Sequence, residues 1–227
     1  MTYHIFELRQ YLLHPGQRET LIELFDRELV ESQEAVGMWV VGQFRDVDRP
    51  DHFVWVRGFR DMTARAQALA EFYGGPVWKE HRDAANATMI DSDDVLLLRP
   101  ALPGSGFPAL EGTGPPPESL VAVALFHRST PIDAEFVQLL AGQVRPALVD
   151  SGARPLACLD TESAENTFPA LPVRSGENVV AWFASFPSMA HHRTYAERLE
   201  AMPDLLARGS GPPKHLRLVP TSRSSLR

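Results

Sequence analysis

The feature that most constrains the fold is an internal repeat. Residues 53–62, FVWVRGFRDM, align with residues 180–189, VAWFASFPSM, and Trp55 falls on Trp182. The last predicted strands of the two halves, LLLRP and LRLVP, align as well. Self-similarity of this kind indicates duplication of one supersecondary unit. The chain is therefore expected to build one unit twice.

Both halves show the same order of hydrophobic patterns, which predicts βαββαβ in each. In the first half we expect strands at 3–13, 38–47, 52–59 and 94–100 and a helix at 17–36. A second helix is expected from its cap Asp61 to the break at Gly74 and Gly75, and Pro76 restarts a helical piece that runs through Met89. In the second half we expect strands at 119–128, 153–160, 178–186 and 214–220, and helices at 130–152 and 188–202. Asp61, Thr130 and Ser188 are the predicted helix caps, because their side chains can accept from free backbone N–H groups.

This order is the ferredoxin-like arrangement, an antiparallel sheet with two helices on one face. Strands such as VAVALF and VVAWF are apolar on both faces, so both sides of each sheet should be covered. The predicted fold is α+β: two ferredoxin-like repeats whose sheets face each other as an intrachain α/β barrel. Residues 1–100 and 119–227 are the predicted repeats, and the Pro- and Gly-rich residues 101–118 are a predicted linker.

Composition and motifs exclude several classes of protein. The 227 residues carry a net charge of −7 without a basic patch, which argues against nucleic acid as a partner. No apolar run approaches the 18 or so residues of a membrane span, and no secretory signal is evident. No zinc set, phosphate-binding loop or dinucleotide motif occurs, so no cofactor is predicted. The lone Cys158 fits a reducing compartment and a core position, and a cytoplasmic location is expected.

Polar side chains interrupt the first strand at one parity. Glu7, Arg9 and Tyr11 share one face, and Trp55 and Arg57 share a face of the third strand, its predicted neighbour. If both sets face the barrel interior, they form one polar and aromatic cluster. Such a cluster fits either a self-satisfied buried ion pair or a site whose surplus guanidinium binds a ligand.

A second candidate set lies near residues 78–89. Trp78, His81 and Arg82 share a helical face at spacings i, i+3 and i+4. This face is either an ordinary helix end or the mouth of a site, with His81 as a catalytic acid or base. Trp39 is added as a further aromatic wall for a ligand.

The motif ELRQYLLHPG and the segments VGMWVVGQF, HFVWVRGFRDMTAR and PVWKEHRDAANATM resemble NIPSNAP-family domains. The resemblance covers about residues 3–100, and the second half resembles a diverged copy in which Ala124 and Phe126 stand for Glu7 and Arg9. It implies the dimeric α/β-barrel fold. It implies no settled biochemical activity, although the same fold hosts cofactor-independent monooxygenases.

Three hypotheses on function follow. The first is binding of a small hydrophobic or aromatic ligand with an acidic or carbonyl group in the barrel of the first repeat. The second is a protein-interaction module with a filled barrel, and the third is an enzyme of monooxygenase or isomerase type. Homo-oligomer formation is a further expectation.

Overall fold

The two halves of the chain fold with the same strand order. The computed structural model describes residues 2–108 and 120–226. Within these residues the strands are β1 Ile5–Leu13, β2 Trp39–Asp46, β3 His52–Phe59, β4 Met89–Pro100, β5 Leu120–His127, β6 Arg154–Thr161, β7 Val179–Phe186 and β8 Lys214–Pro220. The first half orders its strands β4-β1-β3-β2, and the second half has the matching order β8-β5-β7-β6. Seams between β2 and β8 and between β4 and β6 close one antiparallel barrel of eight strands. The predicted fold class is therefore confirmed.

The helices are α1 Arg18–Leu24, α2 Val30–Ala35, α3 Met62–Gly74, α4 Pro76–Asn86, α5 Ala134–Asp150, α6 Met189–Glu200 and α7 Pro203–Arg208. A π-helical turn, Phe25–Leu29, joins α1 to α2.

Buried side chains divide into three clusters. The barrel interior is filled by apolar residues of both halves, among them Phe6, Leu8, Val56, Val123 and Phe183. Two further clusters lie between the outer surface of the barrel and the helices of each half. Cys158 is buried in one of these outer clusters, as predicted for a core residue. A filled interior leaves the helix–sheet layers as the places where polar chemistry can be built.

Local signals account for most element boundaries, but only one of the three predicted caps forms its side-chain bond. Ser188 stands at the cap position of α6, but its side chain makes no hydrogen bond to the helix backbone. The Asp61 carboxylate accepts from the N–H of Ala64 and begins α3 as predicted. The predicted cap at Thr130 is wrong, because Asp133 accepts from the N–H of Phe136 and begins α5 three residues later. An acidic side chain so placed satisfies a free N–H and meets the positive helix end.

The predicted linker is only partly described. Residues 101–108 run across one end of the barrel, where the Phe107 ring packs against Phe6 and Phe183. Residues 109–118 of the predicted linker lie outside the described residues. None of the described helices combines the length and the hydropathy needed to cross a bilayer.

The shared interior predicts the behaviour of an isolated first half. Residues 1–100 alone would expose Phe6, Leu8, Val54 and Val56, which the second half helps to bury. We expect this fragment to dimerise or aggregate, because a large exposed apolar face drives association. Size-exclusion chromatography with light scattering measures the outcome. A soluble, well-folded monomer of residues 1–100 would count against the shared interior.

Candidate functional site

One buried carboxylate meets three buried arginines in the first half. Glu7 Oε2 accepts from Arg9 Nη1 at 2.7 Å and from Arg57 Nε at 2.8 Å. Glu7 Oε1 accepts from Arg65 Nε at 2.7 Å. All four side chains are at most 1% exposed. We call Glu7, Arg9, Arg57 and Arg65 the arginine cluster.

The arginine cluster lies outside the barrel, so the predicted placement in its interior is wrong. Glu7 pairs with Arg57 across β1 and β3, and both side chains point toward the helices of the first half. The opposite parity, with Phe6, Leu8, Val54 and Val56, fills the interior. The physical reason is that this second set is uniformly apolar and fills the closed interior, whereas the helix–sheet layer brings polar partners to the charged groups: Arg65 to Glu7, and Gln33 to Arg57.

Arg65 was missed by the sequence analysis. It lies one turn into α3, and its guanidinium reaches back to the sheet. Its position does carry a signal, because Arg65 is spaced i, i+4 and i, i+7 from the buried Leu69 and Phe72. An arginine on the apolar face of a helix needs a buried partner, and Glu7 supplies it.

The arginine cluster carries more positive than negative charge. Burial opposes ionisation of Glu7, but the charges of Arg57, Arg9 and Arg65 outweigh burial and hold the pKa of that carboxyl well below its usual range. Within residues 2–108 and 120–226, no second carboxylate makes an ion pair with these three arginines. Three guanidinium groups against one carboxylate leave two formal positive charges buried.

Some of the donors of the arginine cluster have no acceptor among the described residues. Arg65 Nη2 is buried without a hydrogen bond. Arg57 Nη2 lies 2.8 Å from Glu7 Oε2, but its angle does not make a hydrogen bond. Arg57 Nη2 thus still has an ionic partner, whereas Arg65 Nη2 has no hydrogen-bond partner among the described residues. Buried donors are nearly always paired, so Arg65 Nη2 marks a place where an acceptor is missing.

Aromatic rings wall the arginine cluster. The guanidinium groups of Arg9 and Arg57 lie 5.6 and 5.1 Å from the centre of the Trp55 ring, within reach of cation–π attraction. Tyr11 accepts from Arg9 Nε at 2.9 Å. Burial raises the pKa of Tyr11 even though the charge of Arg9 opposes the shift, so its hydroxyl stays neutral. Tyr73 faces Arg57 from α3, with 6.0 Å from guanidinium to ring.

The π-helical turn positions one more acceptor. Gln33 donates through Nε2 to the Leu29 carbonyl at 2.8 Å, at the end of the π turn. This bond turns Gln33 Oε1 toward Arg57, and Gln33 Oε1 accepts a hydrogen bond from Arg57 Nη1 at 3.1 Å. Single π turns occur often beside functional sites because they redirect side chains in this way.

A segment of the second half covers the arginine cluster. Residues 162–178 connect β6 to β7, and we call them the strap. Asn166 Oδ1 and Thr167 Oγ1 accept from Arg65 Nη1 at 3.0 and 3.2 Å. The Phe168 ring stacks on Tyr73 at 5.9 Å. The strap therefore gives Arg65 neutral acceptors. Its three carboxylates, Glu162, Glu165 and Glu177, all among the described residues, form no ion pair with the arginine cluster.

The remaining predicted site residues lie apart from the arginine cluster. Trp78 packs on Tyr73 at 4.9 Å and so borders the covered site. His81 Nε2 lies 3.6 Å from Glu28 Oε2, and Arg82 pairs with Asp83 in solvent. Trp39 lines a cavity of about 1230 Å³ at the end of the barrel, and no residue of the arginine cluster lines that cavity.

The second half places a neutral group at the equivalent position. His192 stands where Arg65 stands in the first half, and its ring lies 5.3 Å from His215 and 6.2 Å from Tyr195. Burial, with the neighbouring His215 and Arg217, lowers the pKa of His192 to about 4, although Asp48 opposes the shift. No group of three or more His, Cys, Asp or Glu among the described residues is placed to hold a metal.

The lowered pKa of His192 predicts an acid-sensitive second half. A histidine with a folded pKa below 6.5 contributes stability that is present above pH 6.5 and is lost as the pH falls toward 4. We expect the melting temperature to fall by about 3 °C or more between pH 6.5 and 4.5. His192→Leu should reduce that fall, whereas His191→Leu, at an exposed neighbour, should leave it unchanged. Equal pH profiles for both variants and the wild type would contradict this prediction.

Comparison with known proteins found a family match in the first half. Residues 6–102 match the family model described as NIPSNAP. No similar curated protein was found for the chain. A NIPSNAP family protein of unknown function from Agrobacterium tumefaciens is 21% identical, covers 43% of this chain and 88% of its own, and gives a TM-score of 0.40.

Two solved structures match nearly the whole chain. A proposed monooxygenase from Lactobacillus acidophilus is 13% identical with a TM-score of 0.59, over 98% of this chain and 97% of its own. An anthrone oxidase-like protein is 14% identical with a TM-score of 0.56, over 97% of this chain and 92% of its own. Likeness at these identities shows a shared barrel fold.

Proposed function

Since residues 6–102 of this chain match the family model described as NIPSNAP, we propose that this part of the chain binds a small organic anion, such as a carboxylate, at the arginine cluster. The observation that carries the proposal is the meeting of three buried arginines on one carboxylate, with Arg65 Nη2 left unpaired. A second carboxylate, supplied by a ligand, would offset buried positive charge and accept from that donor.

The structure of the site fits an amphipathic ligand. Trp55 and Tyr73 offer apolar ring surface beside Arg57, and Trp78 extends that surface outward. A few converging polar groups within an aromatic wall are typical of small-molecule sites. The predicted hydrophobic or aromatic ligand with an acidic group is therefore kept, and its site moves from the barrel interior to the helix–sheet layer.

The arginine cluster is covered by the strap and does not open into the cavity at the end of the barrel. The cavity at the end of the barrel is lined by Trp39 and Phe107 rather than by the arginines. An anion that reaches Arg65 has to displace the strap, which contacts Arg65 from the outer side.

Native mass spectrometry of freshly purified protein tests the proposal. We expect a retained mass that is released on denaturation and ionises as an acid, and we expect Arg65→Met to lose it. Arg82→Met, at an exposed ion pair, is the matched control and should keep the ligand. A ligand retained equally by both variants would place binding elsewhere. A wild-type protein that neither retains an acid nor binds one added at millimolar concentration would contradict the proposal.

Oxidation of an acidic phenol or enol is a second candidate function. Surplus buried positive charge favours the anionic form of such a group, and that anion is the species that reacts with dioxygen without a cofactor. Anthrone is a suitable probe, because an anthrone oxidase-like protein shares the fold. Oxygen uptake with anthrone that is lost in Arg65→Met would support this function. Uptake equal to that of a protein-free control would rule out anthrone oxidation.

A further inference from the structure

The strap is an asymmetric addition to an otherwise repeated fold. In the first half, β2 and β3 are joined by residues 47–51 alone. In the second half, the equivalent connection between β6 and β7 is the strap, residues 162–178. The strap crosses the β4–β6 seam and packs on the first half through Phe168 and Leu171.

The strap presents two chemical groups to the first half. One group consists of the side-chain oxygens of Asn166 and Thr167, which both accept hydrogen bonds from Arg65 Nη1. The other is the Phe168 ring, stacked on Tyr73 with an interplanar angle of 25°. Oxygen acceptors on a guanidinium and a ring on an aromatic wall are together the two recognition elements of an aromatic acid.

We infer that residues Asn166–Phe168 of the strap occupy the place of an aromatic carboxylic acid, and that such an acid binds by displacing them. This inference rests on the proposed anion site and names its ligand class. The ligand carboxylate replaces the neutral oxygens of Asn166 and Thr167 as the hydrogen-bond acceptor of Arg65. The ligand ring replaces the Phe168 ring against Tyr73. A charged acceptor binds a guanidinium more strongly than a neutral amide or hydroxyl does, so the exchange favours the ligand.

Few contacts hold residues Asn166–Phe168 of the strap in place, so a ligand can displace them. Thr167 is exposed, and its hydroxyl donates to the Met62 carbonyl at 3.3 Å. Phe168 is only partly buried. Asn166 also accepts from the N–H of Phe168, so the residues that meet Arg65 and Tyr73 form one local unit. Farther along, Arg174 binds Asp94 and the Val95 carbonyl and anchors the strap while this end opens.

The test compares three probes: 3-phenylpropionate, the non-aromatic 3-cyclohexylpropionate and the uncharged 3-phenylpropionamide. Dissociation constants are measured by isothermal titration calorimetry on the full chain. In Phe168→Ala, which empties the ring position, we expect 3-phenylpropionate to bind about tenfold more tightly than it binds wild type. The cyclohexyl acid should gain clearly less, because a flat ring stacks on Tyr73 better than a puckered one does. The amide should remain weak.

Leu171→Ala is the matched control, because it removes a strap contact without vacating the Tyr73 position. We expect a smaller gain that is the same for both acids. Thr167→Val supplies a second variant at an exposed position. It removes the hydroxyl that accepts from Arg65 in place of the ligand, so both acids should bind more tightly. Thr167→Ser keeps the hydroxyl and should restore the wild-type dissociation constants.

The outcomes separate this inference from the proposed function. If Phe168→Ala gains no more than Leu171→Ala, or gains equally for both acids, the strap is no surrogate, although an anion site remains. If neither acid binds the wild type, Phe168→Ala or Thr167→Val, the anion site itself fails. Selective gain for the aromatic acid in Phe168→Ala supports both.

Discussion

Glu7→Gln is expected to destabilise the protein by at least about 3–5 kcal/mol, the usual cost of leaving a buried charge without its partner. Here the cost falls on three guanidinium groups at once, since Arg9, Arg57 and Arg65 share that carboxylate. A glutamine side chain keeps the volume and one acceptor oxygen but removes the negative charge. Urea denaturation followed by circular dichroism measures the loss, and a failure to fold agrees with it.

Asp83→Asn is the matched control for the Glu7 variant. Asp83 also forms an ion pair, with Arg82, but both side chains are exposed. Exposed pairs contribute little, so we expect a change within about 0.5 kcal/mol. If Glu7→Gln were as mild as Asp83→Asn, the arginine cluster would not depend on that charge, and the account of its electrostatics would be wrong.

Acid should act on the same carboxylate. The pKa of Glu7 lies well below its ordinary value in the folded protein, because Arg57, Arg9 and Arg65 outweigh the effect of burial. A carboxyl group of this kind contributes stability that is present above about pH 4.5 and is lost as the pH falls below it. This loss lies below the range in which His192 titrates, so the two effects separate along the pH axis.

Arg65→Met is expected to leave stability within about 1 kcal/mol of wild type, or to raise it, while weakening anion binding about a hundredfold. The variant removes one of the surplus positive charges, and Glu7 keeps Arg9 and Arg57 as partners. The loss of binding corresponds to the removal of a charge-assisted hydrogen bond. Urea denaturation and calorimetric titration with 3-phenylpropionate measure the two quantities on the same protein.

The change in the free energy of unfolding, compared among the arginine variants, separates a structural role from ligand binding. Arg57→Met should cost more stability than Arg65→Met, because it leaves the Gln33 carbonyl oxygen and the Trp55 ring without their contacts. Arg82→Met controls for the substitution itself. If Arg9→Met, Arg57→Met and Arg65→Met each cost as much as Glu7→Gln, all four residues form one structural network and the ligand hypothesis fails.

The repeated pattern predicted the barrel because strand order and closure follow from duplication of a unit with two apolar sheet faces. It did not determine which parity of β1 faces the interior. Alternation separates Glu7 and Arg9 from Phe6 and Leu8, but it is equally consistent with either set facing inward. The uniform apolarity of Phe6 and Leu8 was the available signal, since a closed interior accepts no charge without compensation.

Two parts of the site depend on contacts distant in sequence. Arg65 reaches Glu7 across 58 positions, and the Asn166 contact to Arg65 spans 101. The strap has no hydrophobic periodicity, so nothing in the sequence indicated that it packs on the other half. By contrast, the Asp61 cap depends on residues within one turn, and it was predicted correctly.

The central claim is that the arginine cluster binds an anion, and the stability of the protein against ligand concentration tests it most directly. Free energies of unfolding in urea are measured for the wild type and Arg65→Met over a series of 3-phenylpropionate concentrations at constant ionic strength. We expect the free energy of unfolding of the wild type to rise by about 1.4 kcal/mol once the free ligand is tenfold above its dissociation constant, and that of Arg65→Met not to rise. Equal rises in the two proteins, or no rise in either, would contradict it.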